Sequence, residues 1–316
     1  MKNQNNNQST ILITGSTGYV CKFFVDKLLI ETDLNIVLTY RNNKGNYQNN
    51  DRLTFEKADL LAPNSFERIF ISYKPKHIVH LAAIARVRDG ETYPEKVIIA
   101  NYITTITLSE LALKYGVTSM VFTSSNLAQD AVSVVGIGKL LIEQYFQNIN
   151  SQTTKFISLR MPNVIDSNGS VTLIFKKQIE NNKPITITHP DMSRMFVTGE
   201  RAADFLFYLI SNGNDKGVYV SYKKPVKITD LINIMIKDSG NDIKVEYIGM
   251  KPGEKLIEKS FTRDDVIPTE ISELGMLKNY KYSINQIESA IGKLNNKEEL
   301  KSNKEIQSSF EKLQDD

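Results

Sequence analysis

The chain has 316 residues, which is enough for one large domain or two modest domains with a packed core. Its 41% hydrophobic and 24% charged residues are typical of a soluble globular protein, and the net charge of +3 is too small to indicate a nucleic-acid-binding surface. One cysteine excludes an intramolecular disulfide framework and favours a reducing, cytoplasmic location. Three scattered histidines lack the spacing of metal ligands, so we expect no metal site.

The first segment, residues 1–9, is polar and rich in asparagine, so it is predicted to be a disordered tail rather than a signal peptide. No apolar run reaches the roughly 18 residues of a membrane span, so none is predicted.

From residue 10 onward, short apolar strands alternate with amphipathic helices. Strands are predicted at 11–13, 35–39, 54–56, 77–80, 119–122 and 155–159. Helices are predicted at 23–30, 65–71, 95–114 and 138–148. This alternation predicts the α/β class, with a doubly wound parallel sheet of the Rossmann type over residues 10–164.

After residue 164 the elements become shorter and less regular. Residues 165–282 are predicted to form a smaller C-terminal α/β lobe that binds substrate, with the segment 195–210 returning to the first domain. The lysine- and glutamate-rich end, 283–316, is predicted to be a helical or frayed tail.

The first strand runs into a glycine-containing turn that precedes the first helix. Gly15 permits the tight turn, and Gly18 lets backbone N–H groups approach a pyrophosphate at the helix N-terminus. Cys21 stands where a third glycine is typical. Thr17, Tyr19 and Val20 complete this part of a predicted dinucleotide site.

Residues that follow the next three strands support the same site. Arg41 stands where an acid would select NAD, and it could meet a 2′-phosphate, so NADP is favoured over NAD. Asp59 can accept a hydrogen bond from an adenine amino group. The remaining cofactor contacts predicted from these strand ends are Leu60, Leu81, Ala82 and Ala83.

Three further segments carry a family resemblance: Arg160–Val164 with Gly169–Val171, Ile187–Phe196, and Lys251–Leu256. With the glycine turn, they resemble the extended short-chain dehydrogenase/reductase superfamily. More narrowly, residues 10–275 are similar to the UDP-N-acetylglucosamine 4,6-dehydratase family of capsule and surface-polysaccharide biosynthesis. The resemblance implies a cytoplasmic NAD(P)-dependent enzyme that acts on a UDP-sugar, with hydride transfer at C4 and elimination of water across C5 and C6.

The catalytic positions depart from that family. Ser125 and Lys139 remain as predicted catalytic residues, and the resemblance also makes Lys139 a predicted cofactor contact. Asn126, Leu127 and Val135 occupy positions where the family has an acid, a lysine and a tyrosine or methionine. None of these three side chains can transfer a proton at neutral pH. A relocated acid or base is one explanation, and the candidates are His80, Tyr145 and Asp130.

The resemblance places four residues near the substrate: Asn163, Arg194, Lys251 and Glu254. Arg194 could bind a pyrophosphate, or it could form a salt bridge within the lobe with Asp191 or Glu200. Glu254 could accept from a ribose or from the backbone of its own turn. Asn101 matches a superfamily asparagine that supports the active-site backbone.

Two functional hypotheses follow. The first is a nucleotide-sugar dehydratase, epimerase or reductase with altered chemistry. The second is a non-catalytic nucleotide-sugar or NADP-binding subunit that partners an active paralogue. The exposed faces of the long helices, about 95–114 and 138–148, are the usual dimer surface in the superfamily, so a homo-oligomer or hetero-oligomer is expected. A redox sensor that binds NADP without a sugar is a weaker third hypothesis.

Overall fold

The computed structural model describes residues 8–278, 280, 284–301 and 303–315, so residues 1–7 of the predicted tail lie outside it. The strands are β1 Thr10–Thr14, β2 Asn35–Tyr40, β3 Leu53–Lys57, β4 His77–His80, β5 Ser119–Ser125, β6 Lys155–Met161, β7 Asn163–Val164, β8 Ile185–Ile187, β9 Ser193–Arg194, β10 Phe196–Val197, β11 Val218–Ser221, β12 Val226–Lys227, β13 Val245–Tyr247, β14 Val266–Pro268 and β15 Leu274–Leu277. The helices are α1 Tyr19–Glu31, α2 Glu67–Tyr73, α3 Val87–Thr92, α4 Pro94–Ile98, α5 Thr104–Lys114, α6 Val134–Asn148, α7 Val171–Glu180, α8 Gly199–Asn212, α9 Ile228–Ser239, α10 Ile284–Asn295, α11 Glu298–Lys301 and α12 Lys304–Asp315.

The main sheet has the strand order β14-β15-β11-β6-β5-β4-β1-β2-β3. From β3 to β11 neighbouring strands are parallel, and β15 and β14 add an antiparallel edge. The chain order reverses between β1 and β4, which creates a crevice at the carboxyl ends of these strands. The predicted Rossmann-type α/β fold is therefore confirmed.

Apolar side chains cover both faces of this sheet, which explains the continuous apolar runs in its strands. On one face, α1 and α8 pack against residues such as Ile13 and Val121. On the other face, α5 and α6 pack against residues such as Leu12 and Phe122. Three two-stranded ladders and helices α7 and α9 form the smaller lobe, whose separate core includes Phe175, Ile187 and Ile232.

The main sheet reaches further along the chain than the predicted boundary at residue 164. Strands β11, β14 and β15 belong to it, although we assigned their residues to the substrate lobe. Helix α8 contributes Ala202, Phe205 and Leu209 to the core beneath α1. The lobe is thus smaller than residues 165–282, because several returning segments bury apolar side chains against the sheet.

The C-terminal segment also differs from a detached tail. Helices α10 and α12 bury Ile291, Leu294, Ile306 and Phe310 in the same core as α6. The hydroxyl of Tyr102 donates to the carbonyl of Ser309 at 3.3 Å and accepts from its hydroxyl at 3.2 Å. Leucine, isoleucine and phenylalanine at helical spacing explain why this segment docks.

This docking corrects the predicted dimer surface. Residues 134–144 of α6 are all buried, and the apolar side chains of α10 and α12 lie in the same core. The faces of 95–114 and 138–148 that we expected to be exposed are therefore covered largely by the chain itself.

Residues 94–114 include a π-helical turn at Ile99–Ile103 between α4 and α5. This stretch is long and apolar enough to cross a membrane by length and composition, but 67% of its most apolar window is buried inside the fold. A core helix passes the same test, so the stretch is weak evidence for a membrane span.

Candidate functional site

The turn after β1 approaches the loop after β4 closely. Gly15 has φ +85°, and a Cβ atom there would lie 3.1 Å from the Cα of Ala82. The N–H groups of Gly15 and Ser16 donate to the carbonyl of Thr39 at 3.2 and 2.9 Å. Helix α1 then begins with Gly18 as its N-cap, and it carries no acidic residue in its first turn. Its positive end is thus directed at the crevice without a protein carboxylate from that turn.

Gly15→Ala is expected to weaken the predicted binding of a dinucleotide by about tenfold or more. A left-handed backbone costs roughly 1–2 kcal/mol for a residue with a Cβ, and the new methyl group would press on Ala82. Calorimetric titration with NADP measures the effect. Gly116→Ala is the matched control, since Gly116 has φ +66° and nothing within 4 Å of its Cβ position. Equal losses of affinity in both variants would refute this role of Gly15.

A cleft of about 390 Å³ lies at this crevice. Its walls come from the loops after the first four strands of the chain. The predicted cofactor residues that line it are Gly15, Thr17, Gly18, Arg41, Asp59, Leu60, Leu81, Ala82 and Ala83. Tyr19 and Val20 lie at the start of α1, and neither they nor Lys139 is among the lining residues. The small side chains and the free helix end fit a dinucleotide phosphate.

The polar rim of the cleft has no acid at the end of β2. Arg41, Asn42 and Asn43 line the cleft there, and all three are exposed. Asp59 accepts from the N–H of Leu61 at 3.0 Å, which orders its loop.

Asn101 holds the loop after β4, as expected. Its Oδ1 accepts from the N–H of Ile84 at 2.8 Å, and its Nδ2 donates to the carbonyl of Ile84 at 2.9 Å. Asn101 lies in the π-helical turn, a feature that is frequent at functional sites.

Two titratable side chains near the cleft are structural. Burial raises the pKa of Cys21 to about 12, so the thiol is not reactive at neutral pH. Burial and the charge of Lys139 lower the pKa of His80 to about 3, so its ring is neutral at pH 7. Its Nδ1 is 2.8 Å from the hydroxyl of Thr14, and its ring stacks on Phe122. His80 is therefore a poor candidate for the relocated acid.

The segment predicted to hold the catalytic residues follows β5 as a short 3-10 turn, Asn126–Ala128, which we call the catalytic turn after that prediction. Ser125 caps this turn by accepting from the N–H of Leu127 at 3.2 Å. Leu127 packs on the main core, and Val135 is 1% exposed. Leu127 and Val135 thus serve packing, and neither supplies a proton to the site.

The other two candidates for a relocated acid or base lie in different surroundings. Tyr145 is partly buried against the main core beside Phe146. Asp130 is exposed, with φ +47° in the loop after the turn.

Lys139 lies at the carboxyl ends of β4 and β5. Its Nζ donates to the carbonyl of Thr123 at 2.7 Å and lies 4.4 Å from the centre of the Phe122 ring. Burial lowers the pKa of Lys139 to about 7, and the charge of Glu143 acts in the opposite direction. Because the folded-state pKa lies below the unfolded-state value of about 10.4, stability should fall as the pH decreases from about 10 to 7. Lys139 can therefore gain or lose a proton near neutral pH.

A fully buried ion pair lies beneath the catalytic turn. The Nη2 of Arg160 is 2.7 Å from Oε2 of Glu143, and both side chains are 0% exposed. Arg160 also donates to Oε1 of Gln129 at 2.6 Å, and the hydroxyls of Ser124 and Tyr280 donate to Glu143. This network joins β5, β6 and α6 to the residues on both sides of Asn126.

The substrate-lobe residues are placed differently from expectation. Nδ2 of Asn163 donates to the carbonyl of Met195 at 3.1 Å, which joins β7 to β10. Arg194 forms its ion pair with Glu258, at 3.3 Å, and not with Asp191 or Glu200. Its Nη atoms donate to the carbonyls of Ser193, Lys255 and Leu256. Most of its N–H groups are therefore taken by the protein.

We call residues 251–258 the strap, since they cross from the lobe to the catalytic turn. We predicted that Glu254 accepts either from a ribose or from the backbone of its own turn. In the structure it accepts from the N–H of Lys251, in its own turn, at 3.1 Å. The Nζ of Lys255 donates to the carbonyls of Leu127 and Gln129, and burial lowers the pKa of Lys255.

Sequence reasoning missed Glu143, Lys255 and Glu258. Glu143 lies four residues after Lys139, on the same face of a helix, which is a usable signal. No pattern in the neighbouring sequence predicts the contacts that Lys255 and Glu258 make with the catalytic turn. In the described ranges no group of three or more histidine, cysteine, aspartate or glutamate side chains could hold a metal ion.

The fold and the cleft define a Rossmann-type protein of the extended short-chain dehydrogenase/reductase class. Residues 11–303 match the polysaccharide biosynthesis protein family, and the chain belongs to that family.

The comparisons with individual proteins agree with that assignment. The chain is 31% identical over 280 residues to the capsular polysaccharide biosynthesis protein CapD of Staphylococcus aureus, which covers 84% of this chain and 47% of CapD. It thus spans about half the length of that relative. Among solved structures, Pen from Bacillus thuringiensis superimposes with a TM-score of 0.76 at 25% identity, covering 87% of this chain and 88% of Pen. A UDP-glucose 4-epimerase from Thermus thermophilus in complex with NAD reaches 0.72 at 20% identity, over 81% of this chain and 91% of the epimerase, and shares the fold.

Proposed function

We propose that this protein is an NAD(P)-dependent enzyme that modifies the sugar of a UDP-sugar in surface-polysaccharide biosynthesis. The observation that carries the proposal is the convergence of three features at the carboxyl ends of the parallel strands. These are the glycine-lined cleft, the buried Lys139 and the strap from the smaller lobe. In α/β proteins of this topology, ligands bind at the carboxyl ends of the strands.

NADP is the proposed cofactor. The cleft carries Arg41 at the end of β2, where a carboxylate would bind the ribose hydroxyls of NAD. A guanidinium group is well suited to a phosphate. When bound, the nicotinamide supplies a site that accepts and returns hydride.

The residues near the site favour reduction or epimerisation over elimination of water. Lys139, with a pKa of about 7, can hold or release a proton, and Ser125 can orient a hydroxyl. Elimination needs a second acid or base, and Asn126, Leu127 and Val135 do not provide one. The proposed reaction is thus hydride chemistry at a sugar carbon, with Lys139 as the ionisable group.

Substrate binding is assigned to the lobe side of the site. Lys251 is exposed on the strap and can meet a diphosphate as a point charge. Glu254 holds the backbone of Lys251, Arg194 holds the strap at Lys255, and Asn163 joins β7 to β10. Because most N–H groups of Arg194 are bonded to the protein, its proposed role is to support the strap backbone instead of contacting a pyrophosphate.

The test mixes purified protein with NADP and UDP-N-acetylglucosamine, follows nicotinamide absorbance, and analyses the sugar by mass spectrometry. We expect binding of both ligands and no loss of water, with any conversion abolished in Lys139→Met. A product lighter by one water would show that elimination survives. Binding of both ligands without conversion of this or other UDP-sugars would favour the binding-subunit hypothesis. Binding of neither ligand would overturn the proposal.

A further inference from the structure

Asn126 and Glu258 are in contact although 132 residues separate them in the chain. Nδ2 of Asn126 donates to Oε2 of Glu258 at 3.4 Å, and both residues are 4% exposed. The other oxygen of Glu258 lies 3.3 Å from Nε of Arg194. Because an ionised carboxylate only accepts hydrogen bonds, Glu258 selects the amide orientation with nitrogen towards it.

This orientation directs the amide oxygen of Asn126 away from Glu258. Among the residues that the structure describes, that oxygen has no hydrogen-bond partner, and it is buried. A buried acceptor without a donor is costly, and an apolar side chain such as the adjacent Leu127 would avoid the cost. An amide at this position therefore indicates that a bound ligand supplies a hydrogen-bond donor to this oxygen.

The backbone around this oxygen is held on both sides. Lys255 donates to the carbonyls of Leu127 and Gln129, and Ser125 caps the turn. The charged groups of this region are Arg194, which pairs with Glu258, and Lys255. Asp130 and Arg160 act electrostatically on Lys255. Arg194 and Lys255 are both occupied by protein acceptors, so neither competes for the amide oxygen.

We propose that the Oδ1 of Asn126 accepts a hydrogen bond from a hydroxyl of the nucleotide-bound sugar, and that Glu258 is the positioning residue that orients the amide. The inference rests on the proposed function, since it requires a sugar ligand. It assigns residue 126 to recognition of a hydroxyl group instead of proton transfer. We expect a ligand that carries this hydroxyl to bind more tightly than one that lacks it, because the buried amide oxygen stays unpaired without the hydroxyl.

The experiment measures calorimetric affinities for UDP and for UDP-N-acetylglucosamine, each in the presence of NADP. Asn126→Leu keeps the number of side-chain heavy atoms and the branching at Cγ, and it removes both the acceptor and the donor to Glu258. We expect it to weaken UDP-N-acetylglucosamine binding by about tenfold and to leave UDP binding unchanged. Asn181→Ala, at an exposed amide, is the control and should change neither affinity. If Asn126→Leu does not fold, Asn126→Ala tests the same loss.

An exchange of the two side chains tests the positioning role. Asn126→Asp alone places two buried carboxylates in contact, and we expect it to lose affinity for UDP-N-acetylglucosamine. The double variant Asn126→Asp/Glu258→Gln retains one amide, one carboxylate and an acceptor at 126. It should recover that affinity to within about threefold of the wild type.

The outcomes separate the inference from the proposed function. If the wild type binds neither UDP nor UDP-N-acetylglucosamine, the proposed function fails, and the inference fails with it. If the wild type binds both ligands equally, or if Asn126→Leu weakens both equally, the role of Asn126 is wrong while the proposed function stands. Failure of the exchanged pair to recover would overturn the role of Glu258.

Discussion

Glu143→Ala is expected to lower the free energy of unfolding by about 3–5 kcal/mol, because it leaves the Arg160 guanidinium charged and buried without its carboxylate. Arg160 is 0% exposed, and it also donates to the neutral Oε1 of Gln129. The loss should be accompanied by weaker ligand binding, since Ser124 also bonds to Glu143 and precedes the catalytic turn. Urea-induced unfolding followed by circular dichroism measures the change.

Two controls separate an unpaired charge from a general packing defect. The double variant Glu143→Leu/Arg160→Met removes both charges and should recover most of the lost stability. Glu67→Ala breaks the exposed ion pair with Lys114, at 2.6 Å, and should leave the midpoint of thermal unfolding nearly unchanged. A double variant as unstable as Glu143→Ala would contradict the explanation.

Gly136→Ala is expected to destabilise the fold by about 1–3 kcal/mol and to displace the catalytic turn. A Cβ at Gly136 would lie 2.5 Å from the carbonyl oxygen of Leu127, which is backbone and cannot move alone. Since Lys255 donates to that same carbonyl, the strap should shift with it. Unfolding midpoints and UDP-N-acetylglucosamine affinity together measure both effects.

Gly138→Ala is the matched control two residues further along α6. Its Cβ would meet only Cδ1 of Ile98, at the ordinary distance of 3.6 Å. Alanine has a higher helix propensity than glycine, so this variant should gain up to about 1 kcal/mol. Equal behaviour of the two alanine variants would show that the close approach of α6 to the turn is absent in solution.

Much of the first, Rossmann-type half of the chain could be predicted because its signals are local. The strand at 77–80 has the predicted bounds, and the glycine turn lies where Gly15 and Gly18 placed it. Helix α7 and strands β14 and β15 were not predicted, since their apolar residues are few and depend on contacts with distant segments.

The candidate site could be predicted only in part. The side chains that line the cleft follow strand ends, so their positions are consequences of the parallel sheet. The ion-pair partners predicted for Arg194, Asp191 and Glu200, were wrong. The observed partner, Glu258, lies 64 residues away in the chain, and only the strap brings it next to Arg194.

The sequence by itself determined the class of fold and most of the predicted residues that line the cleft, because strand periodicity and glycine turns act over a few residues. Only the tertiary structure decided which polar groups meet at the catalytic turn. The contacts of Asn126 with Glu258 and of Glu143 with Arg160 depend on how the lobe and the sheet pack. The same is true of α10 and α12, whose apolar faces signal burial but do not name the surface of α6 that they cover.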